Sequence, residues 1–435
     1  MGGGLMQLVA YGAQDIYLTG NPQITFWKVV YRRCTNFAIE SVEQTFMGNA
    51  TPGSRATATI SRNGDLVSNC VLEVDASFLS GFSNADPPVS VRTSLHQGGM
   101  YNLVESVEVE IGGQKIDKHY GAWMEIWNEL CCPHYGPKTD DSTTVVSGCG
   151  KTLGHAAIPA AITLANNAAK VTSTETFYVP LAFWFNRNPG LALPLIALQY
   201  HEVKFNFQFS ALANVFANLT TQIGTVNADS SGYTANVLGN TVAKINSIKM
   251  FVDYIYLDTE ERRRFAQQSH EYLIDQIQYT GAVSRTSGAA ASQSLRLDFN
   301  HPCKELVWVE RNLTAAEGLC NFEADMGKQG GSALLQLNGH DRFAKRPMNY
   351  FTRVQPLQHH TNVPHGDRIG VYSFGLRPED HQPSGTCNFS RIDNATLQLT
   401  LNDAPHADGS EFQVYATNYN VLRIMSGMGG LAYSN

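Results

Sequence analysis

One series of β-strand signals runs through this chain twice, in the same order, and that duplication restricts the fold more than any single motif. Ser106 to Asp117 (SVEVEIGGQKID) reads as strand, tight Gly112-Gly113 turn, strand, and leads into an aromatic segment; Ala333 to Ala344 (ALLQLNGHDRFA) has the same outline around Asn338-Gly339. Two alternating segments follow, FYVPLAFWFNRNPG (177–190) and RIGVYSFGLRPED (368–380), each read as a strand that ends in Arg187 or Arg377. HEVKFNFQF (201–209) and NATLQLTLN (394–402) come next, then SIKMFVDYIYL (247–257) and EFQVYATNYNVLRI (411–424). Apolar residues at every second position, bounded by Gly, Pro and Asn, mark half-buried antiparallel strands, and a series of them implies a sandwich or barrel. Two series imply two similar β-domains.

The offset between equivalent positions is about 226 residues from Gly112 to Asn338 but about 190 from Arg187 to Arg377, so the first copy carries roughly 35 more residues. The surplus falls near 133–176, a tract rich in Ala, Thr, Ser and Gly that reads as a long surface loop. Residues 1–25 are expected to form an N-terminal arm too mixed in character to build a core. Residues 26–257 are expected to form the first domain, beginning with the strand TNFAIESVEQTF, and 258–435 the second. The boundary is placed at the charge run DTEERRRFAQQ (258–268), a solvated helical turn with Glu and Arg at i,i+3 and i,i+4 spacing. GAWMEIWNEL (121–130) has helical periodicity, with Trp123, Ile126, Trp127 and Leu130 on one face, and is expected to cap an open end of the first domain.

Composition narrows the possible partners. Charged residues make up 16% of the 435, against roughly 25% in an average soluble chain, which suits extensive contact between subunits. A net charge of −7 argues against direct nucleic-acid packaging, which needs a basic face. The eight cysteines show no zinc-type CxxC pairs and suggest unpaired thiols in a reducing compartment. Neither a span of about 18 apolar residues nor a signal-peptide core is evident, and Met6 stands where a myristoylation signal wants Ser or Thr.

The motif search yields no catalytic residues and no cofactor. SGCGKTLG (147–154) ends like a phosphate loop but has Val145 where a Gly is needed, and GMGGLA (427–432) lies too near the end for a helix to follow. His359, His360 and His365 cluster in QHHTNVPHGD, but a turn-forming loop explains them as well, so no metal site is assigned. Nothing singles out a pair of glycosidase carboxylates. Asn49, Asn218, Asn312, Asn388 and Asn394 stand in Asn-x-Ser/Thr sequons and are candidate glycosylation positions by pattern alone.

Three long segments carry a resemblance. AYGAQDIYLTGNPQITFWKVVYRRCTNFAIES (10–41), DTEERRRFAQQSHEYLI (258–274) and FGLRPEDHQPSGTCNFSRIDNATL (374–397) closely resemble the major capsid protein family of large icosahedral double-stranded DNA viruses, especially algal viruses and their nucleocytoplasmic relatives. The resemblance spans essentially the whole chain. It implies an all-β tandem double jelly roll: two eight-stranded antiparallel β-sandwiches with short helices in loops. It implies a non-enzymatic structural protein whose homotrimers have a pseudo-hexagonal outline and tile the shell, with no cofactor. It further implies an outer loop at 133–176, an inward arm near minor capsid proteins and internal membrane proteins, no direct nucleic-acid contact, and assembly in the host cytoplasm. Relatives carry glycans, often outside sequons. Within the matched motifs Asn21, Pro22, Arg32, Arg33, Arg262, Arg263, Pro383, Gly385, Arg391 and Asp393 are taken as structural, with Pro383-Ser384-Gly385 a turn and Arg391 and Asp393 an ion pair. A minor capsid paralogue and a carbohydrate-binding or carbohydrate-cleaving sandwich are the alternatives.

Overall fold

The computed structural model describes residues 3–27, 31, 33–82, 90–91, 94–96, 98–131, 171–217, 243–285, 292–313, 318–320, 322, 326, 330–401 and 409–433. By their contacts, Met1–Phe37 form one unit and Ala38–Asn435 another. The first unit holds helix α1 (Gly3–Val9) and a single turn at Ile16–Thr19, and no residue of either is buried. A run this short and exposed cannot offset the entropy of ordering with apolar burial of its own.

The first sandwich uses eight strands: β1 (Phe37–Gln44), β2 (Arg55–Thr59), β3 (Leu66–Phe82), β4 (Val104–Ile111), β5 (Gln114–Tyr120), β6 (Val171–Pro180), β7 (Val203–Phe209) and β8 (Ala243–Leu257). They form one sheet in the order β1-β8-β3-β6 and a second in the order β2-β7-β4-β5. The second sandwich repeats the plan with β9 (His270–Tyr279), β10 (Ser292–Arg296), β11 (Pro302–Asn312), β12 (Ser332–Leu337), β13 (His340–Asp341), β14 (Ile369–Ser373), β15 (Ala395–Thr400) and β16 (Ser410–Met425). Its sheets run β9-β16-β11-β14 and β10-β15-β12-β13, so every strand has its counterpart eight labels later. A final strand, β17 (Met428–Leu431), folds back on β16.

Alternation in the sequence sets which face turns inward. In β7 the residues Val203, Phe205, Phe207 and Phe209 are buried and those between them half-buried. Phe207 lies opposite Val107 and Phe205 opposite Val109; in the second sandwich Leu335 lies opposite Leu397. Each such side chain stabilises the fold by roughly 1.5–3 kcal/mol through the area it removes from water. The two hairpin turns agree in backbone as well. Gly112 and Gly113 have φ of 58° and 86°, Asn338 and Gly339 of 51° and 80°, which is the left-handed pair of a type I′ turn.

Several expectations change. The segment after Pro180 is no strand: it turns and forms one helical turn, Trp184–Arg187, because Asn186 Oδ1 accepts from Phe183 N and Asn186 Nδ2 donates to Ser68 O. The counterpart strand β14 likewise stops at Ser373, short of Arg377. The expected loop at 133–176 overlaps β6, which already begins at Val171; residues 132–170, including the phosphate-loop-like stretch, lie outside the described residues. Helix α2 (Gly121–Cys131) forms as expected but packs against both sandwiches rather than capping one. Asp258 begins α3 (Thr259–Gln267), and no sheet takes strands from both sides of it. Each domain was expected to hold its own core, yet the larger hydrophobic cluster runs through the first sandwich into Ile274, Ile277, Val307, Val309, Tyr415 and Ile424 of the second.

Candidate functional site: the junction between the two sandwiches

That shared core follows from strands buried on both faces. In β11, Leu306 and Trp308 point into the second sandwich while Val307 and Val309 join the core continuous with the first. In β16, Phe412, Val414 and Ala416 face inward and Tyr415 outward to the junction. Tyr415 stacks on Tyr279 with ring centroids 4.9 Å apart, and Tyr279 meets Tyr120 edge-on at 4.9 Å; Trp123 of α2 lies 5.4 Å from Tyr415. Aromatic pairs at such separations contribute about 0.5–1.5 kcal/mol each beyond their burial.

Backbone groups left without sheet partners are satisfied across the same junction. Asp117 Oδ1 accepts from Ile277 N at 3.1 Å, and Gln276 Nε2 donates to Ile116 O. Asn102 Oδ1 accepts from Cys320 N at 2.9 Å, and Asn362 N donates to Leu130 O at 3.0 Å. Leu431 N donates to Gln114 Oε1 at 3.3 Å and Tyr200 N to Gly427 O at 3.0 Å. Buried polar groups paired in this way hold one relative placement, because sliding the sandwiches would strand each donor and acceptor.

Charge is also buried there. Asp275 lies 3.4 Å from Lys304 Nζ and 3.9 Å from Arg187 Nη1, and the Arg187 guanidinium sits 3.8 Å from the Trp127 ring centroid. One residue along β11, Glu305 Oε2 stands 2.9 Å from His360 Nε2, while Nδ1 of the same ring stands 2.9 Å from Glu379 Oε1. Burial alone would lower the His360 pKa, but the carboxylates of Glu305 and Glu379 outweigh it and raise it to about 9. Glu305 is held below the usual carboxylate range: burial pushes it up, and the neighbouring His360 and Lys304 more than reverse that. Cys131, at the end of α2, is pushed well above the usual thiol range by burial and then by Glu379 and Glu305.

The residues singled out from sequence take different places. Arg262 reaches back from α3 to the first sandwich, Nε donating to Asp65 Oδ1 at 2.9 Å while Leu257 N donates to Asp65 Oδ2 at 2.9 Å, so this helix is more than a solvated turn. Arg263 is exposed and faces Glu260 at 3.9 Å. Pro383 and Gly385 lie in the expected turn, pinned where Arg377 N donates to Ser384 Oγ at 2.9 Å. The expected Arg391–Asp393 ion pair is absent; both residues are exposed. Asn21 has φ 52° ahead of exposed Pro22, Arg33 is exposed, and Arg32 lies outside the described residues.

Of the sequon residues, Asn49, Asn388 and Asn394 are exposed, Asn312 is half-buried at the end of β11, and Asn218 lies outside the described residues. The clustered histidines do not converge. His359 is exposed with Nδ1 3.0 Å from Leu376 O, while its neighbour His360 is buried; β17 occupies the Gly-rich end. Sequence reading missed Asp65, Asp275, Lys304, Glu305 and Glu379. The available signal was Lys304-Glu305 inside the otherwise apolar run PCKELVWV.

Comparison with known proteins gives the junction its setting. Residues 25–258 match the family described as major capsid protein N-terminus, and residues 261–430 the family described as large eukaryotic DNA virus major capsid protein. The chain is 49% identical to the major capsid protein of Pyramimonas orientalis virus and 43% identical to that of Paramecium bursaria Chlorella virus 1, over the whole of each. Among solved structures, a chain of the PBCV-1 virus capsid aligns with a TM-score of 0.69 at 38% identity, covering 94% of this chain and 100% of that one. The Faustovirus major capsid protein, 14% identical, shares the fold with a TM-score of 0.66 over 95% of this chain and 94% of its own. These likenesses are to structural capsid proteins built as double jelly rolls, whose copies assemble with one another into a shell. With both halves matched and the fold in agreement, the chain belongs to the major capsid proteins of large eukaryotic DNA viruses.

Proposed function

We propose that three copies of this chain form a capsomer of pseudo-hexagonal outline and that such trimers tile the icosahedral shell. The observation that carries the reading is the identical strand order of two sandwiches joined by one continuous core. A threefold ring of chains with two like lobes presents six like lobes, and lobes that cannot hinge make a flat tile with repeating edges. Ile39, Met47, Tyr200, Leu357 and Leu376 are large apolar side chains left exposed on the single chain, which supports burial against neighbours. In this reading residues 132–170 belong to the outer face, and the arm works inward with minor capsid proteins and internal membrane proteins. The acidic chain stays off the genome, and assembly proceeds in the host cytoplasm.

Capsomer formation of this kind calls for an obligate interface, on the order of 2,000 Å² or more per pair. Light scattering coupled to size exclusion should give three times the 47.7 kDa chain mass, unchanged on dilution. A stable monomer at micromolar concentration would refute the trimer.

A further inference from the structure

Cys131 closes helix α2 of the first sandwich beside two residues of the second, His360 and Glu379. One potential ligand atom from each of the three lies within 4.8 Å of the others. Thiolate, imidazole and carboxylate are the donor set of a zinc-class cation, whereas magnesium and calcium prefer oxygen alone. The surroundings hold these donors in place. Behind the imidazole, His360 Nε2 faces Glu305 Oε2 at 2.9 Å, and Glu305 Oε1 accepts from Thr417 Oγ1 at 3.2 Å. A carboxylate behind a ligating histidine fixes the ring and strengthens its free nitrogen as a donor. Glu379 is oriented in turn by Thr361, whose N and Oγ1 donate to its two oxygens at 2.8 and 2.5 Å. The His360 and Glu305 side chains are fully buried, while Glu379 is 19% exposed and leaves a way in from solvent.

We propose that Cys131 Sγ, His360 Nδ1 and the Glu379 carboxylate bind one divalent thiophilic cation of the zinc class, with Glu305 as the orienting carboxylate, and that the ion staples the two sandwiches together. Binding displaces the Cys131 thiol proton and the His360 Nδ1 proton to solvent, and no redox step is involved. Zinc lies about 2.3 Å from sulfur and about 2.0–2.2 Å from nitrogen or oxygen, so tetrahedral ligands stand roughly 3.3–3.7 Å apart and the three side chains close by about an ångström. Three protein ligands leave the fourth position toward the open edge at Glu379. A plain Glu305–His360–Glu379 ion-pair chain would use three of the same residues, but it has no need of Cys131. The thiol therefore separates the two readings.

The test uses the full chain, stripped by a chelator under reducing conditions and titrated with cobalt(II) alone. The expected result is one cobalt per chain with thiolate-to-metal absorption in the near ultraviolet. That absorption should be lost in Cys131→Ser and kept in Cys132→Ser, and Glu305→Gln should weaken cobalt binding roughly 10- to 100-fold. Folded protein that takes up no stoichiometric cobalt, or a Cys131→Ser variant with the same absorption, overturns the proposal. Should Cys131→Ser not reach the native solution mass and circular dichroism, Glu379→Gln at the exposed edge decides: affinity unchanged from the parent chain overturns it, and a loss of tenfold or more upholds it.

Discussion

The imidazole of His201 covers Gly112 so closely that a Cβ added there would overlap the ring, and the same ring accepts a hydrogen bond from Gly429 N at 3.2 Å through Nδ1. A turn of the first sandwich is thereby tied to the last hairpin of the second. Gly113, beside it in the turn with φ 86°, faces open space. Gly113→Ala should cost about 1–2 kcal/mol, the strain of a left-handed residue carrying a side chain. Gly112→Ala meets that strain, displaces His201 and leaves Gly429 N unpaired, for roughly 1–3 kcal/mol more. Urea midpoints of the two variants, taken together, measure the difference. Equal shifts would show that His201 does not brace the turn.

Tyr415 supplies a second test of the junction. It is 1% exposed and contacts Tyr120, Trp123 and Tyr279, which come from β5, α2 and β9. Tyr415→Ala should destabilise by roughly 3–5 kcal/mol, as expected for emptying a buried aromatic site. Because the lost contacts are those between sandwiches, the variant should unfold in two steps where the parent chain unfolds in one. A single unbroken transition shifted by less than about 1 kcal/mol would mean that the cores are energetically separate.

Residues 203–209 and 395–400 were legible in the sequence because one face of each strand is buried and the other is not, so their period of two is written in residue type. Strand β11 has no such contrast. Both of its faces are covered, and its continuous apolar run leaves its sheet unassigned. The junction charges were illegible for a related reason. Lys304 and Asp275 are 29 residues apart on neighbouring elements, and no local spacing predicts their meeting. His359 and His360 make the point most sharply, since adjacent residues of one type in one loop end up exposed and fully enclosed. The expected strand ending at Arg187 failed because Asn186 competes for backbone groups after Pro180, a preference of Asn that overrides alternation.

His119 predicts how the protein responds to acid. Its side chain is buried, its ring stacks on Phe183 with centroids 4.2 Å apart, and Nε2 donates to Asp117 Oδ2 at 2.9 Å. Its pKa is lowered from 6.5, first by burial, with Arg187 adding to the effect and Asp117 opposing it. The unfolded chain therefore takes up this proton near pH 6.5 while the folded chain resists it. Stability from this group is complete above pH 6.5 and falls as pH drops below it, by at most about 1.4 kcal/mol per unit for one proton, until the folded pKa is passed. In His119→Gln that contribution is gone, although a hydrogen bond to Asp117 remains within reach. Urea unfolding at pH 7.5, 6.5 and 5.5 should show the parent chain losing more stability than the variant over the lower interval. Parallel losses would show that His119 takes up its proton as easily folded as unfolded, and that acid lability arises elsewhere.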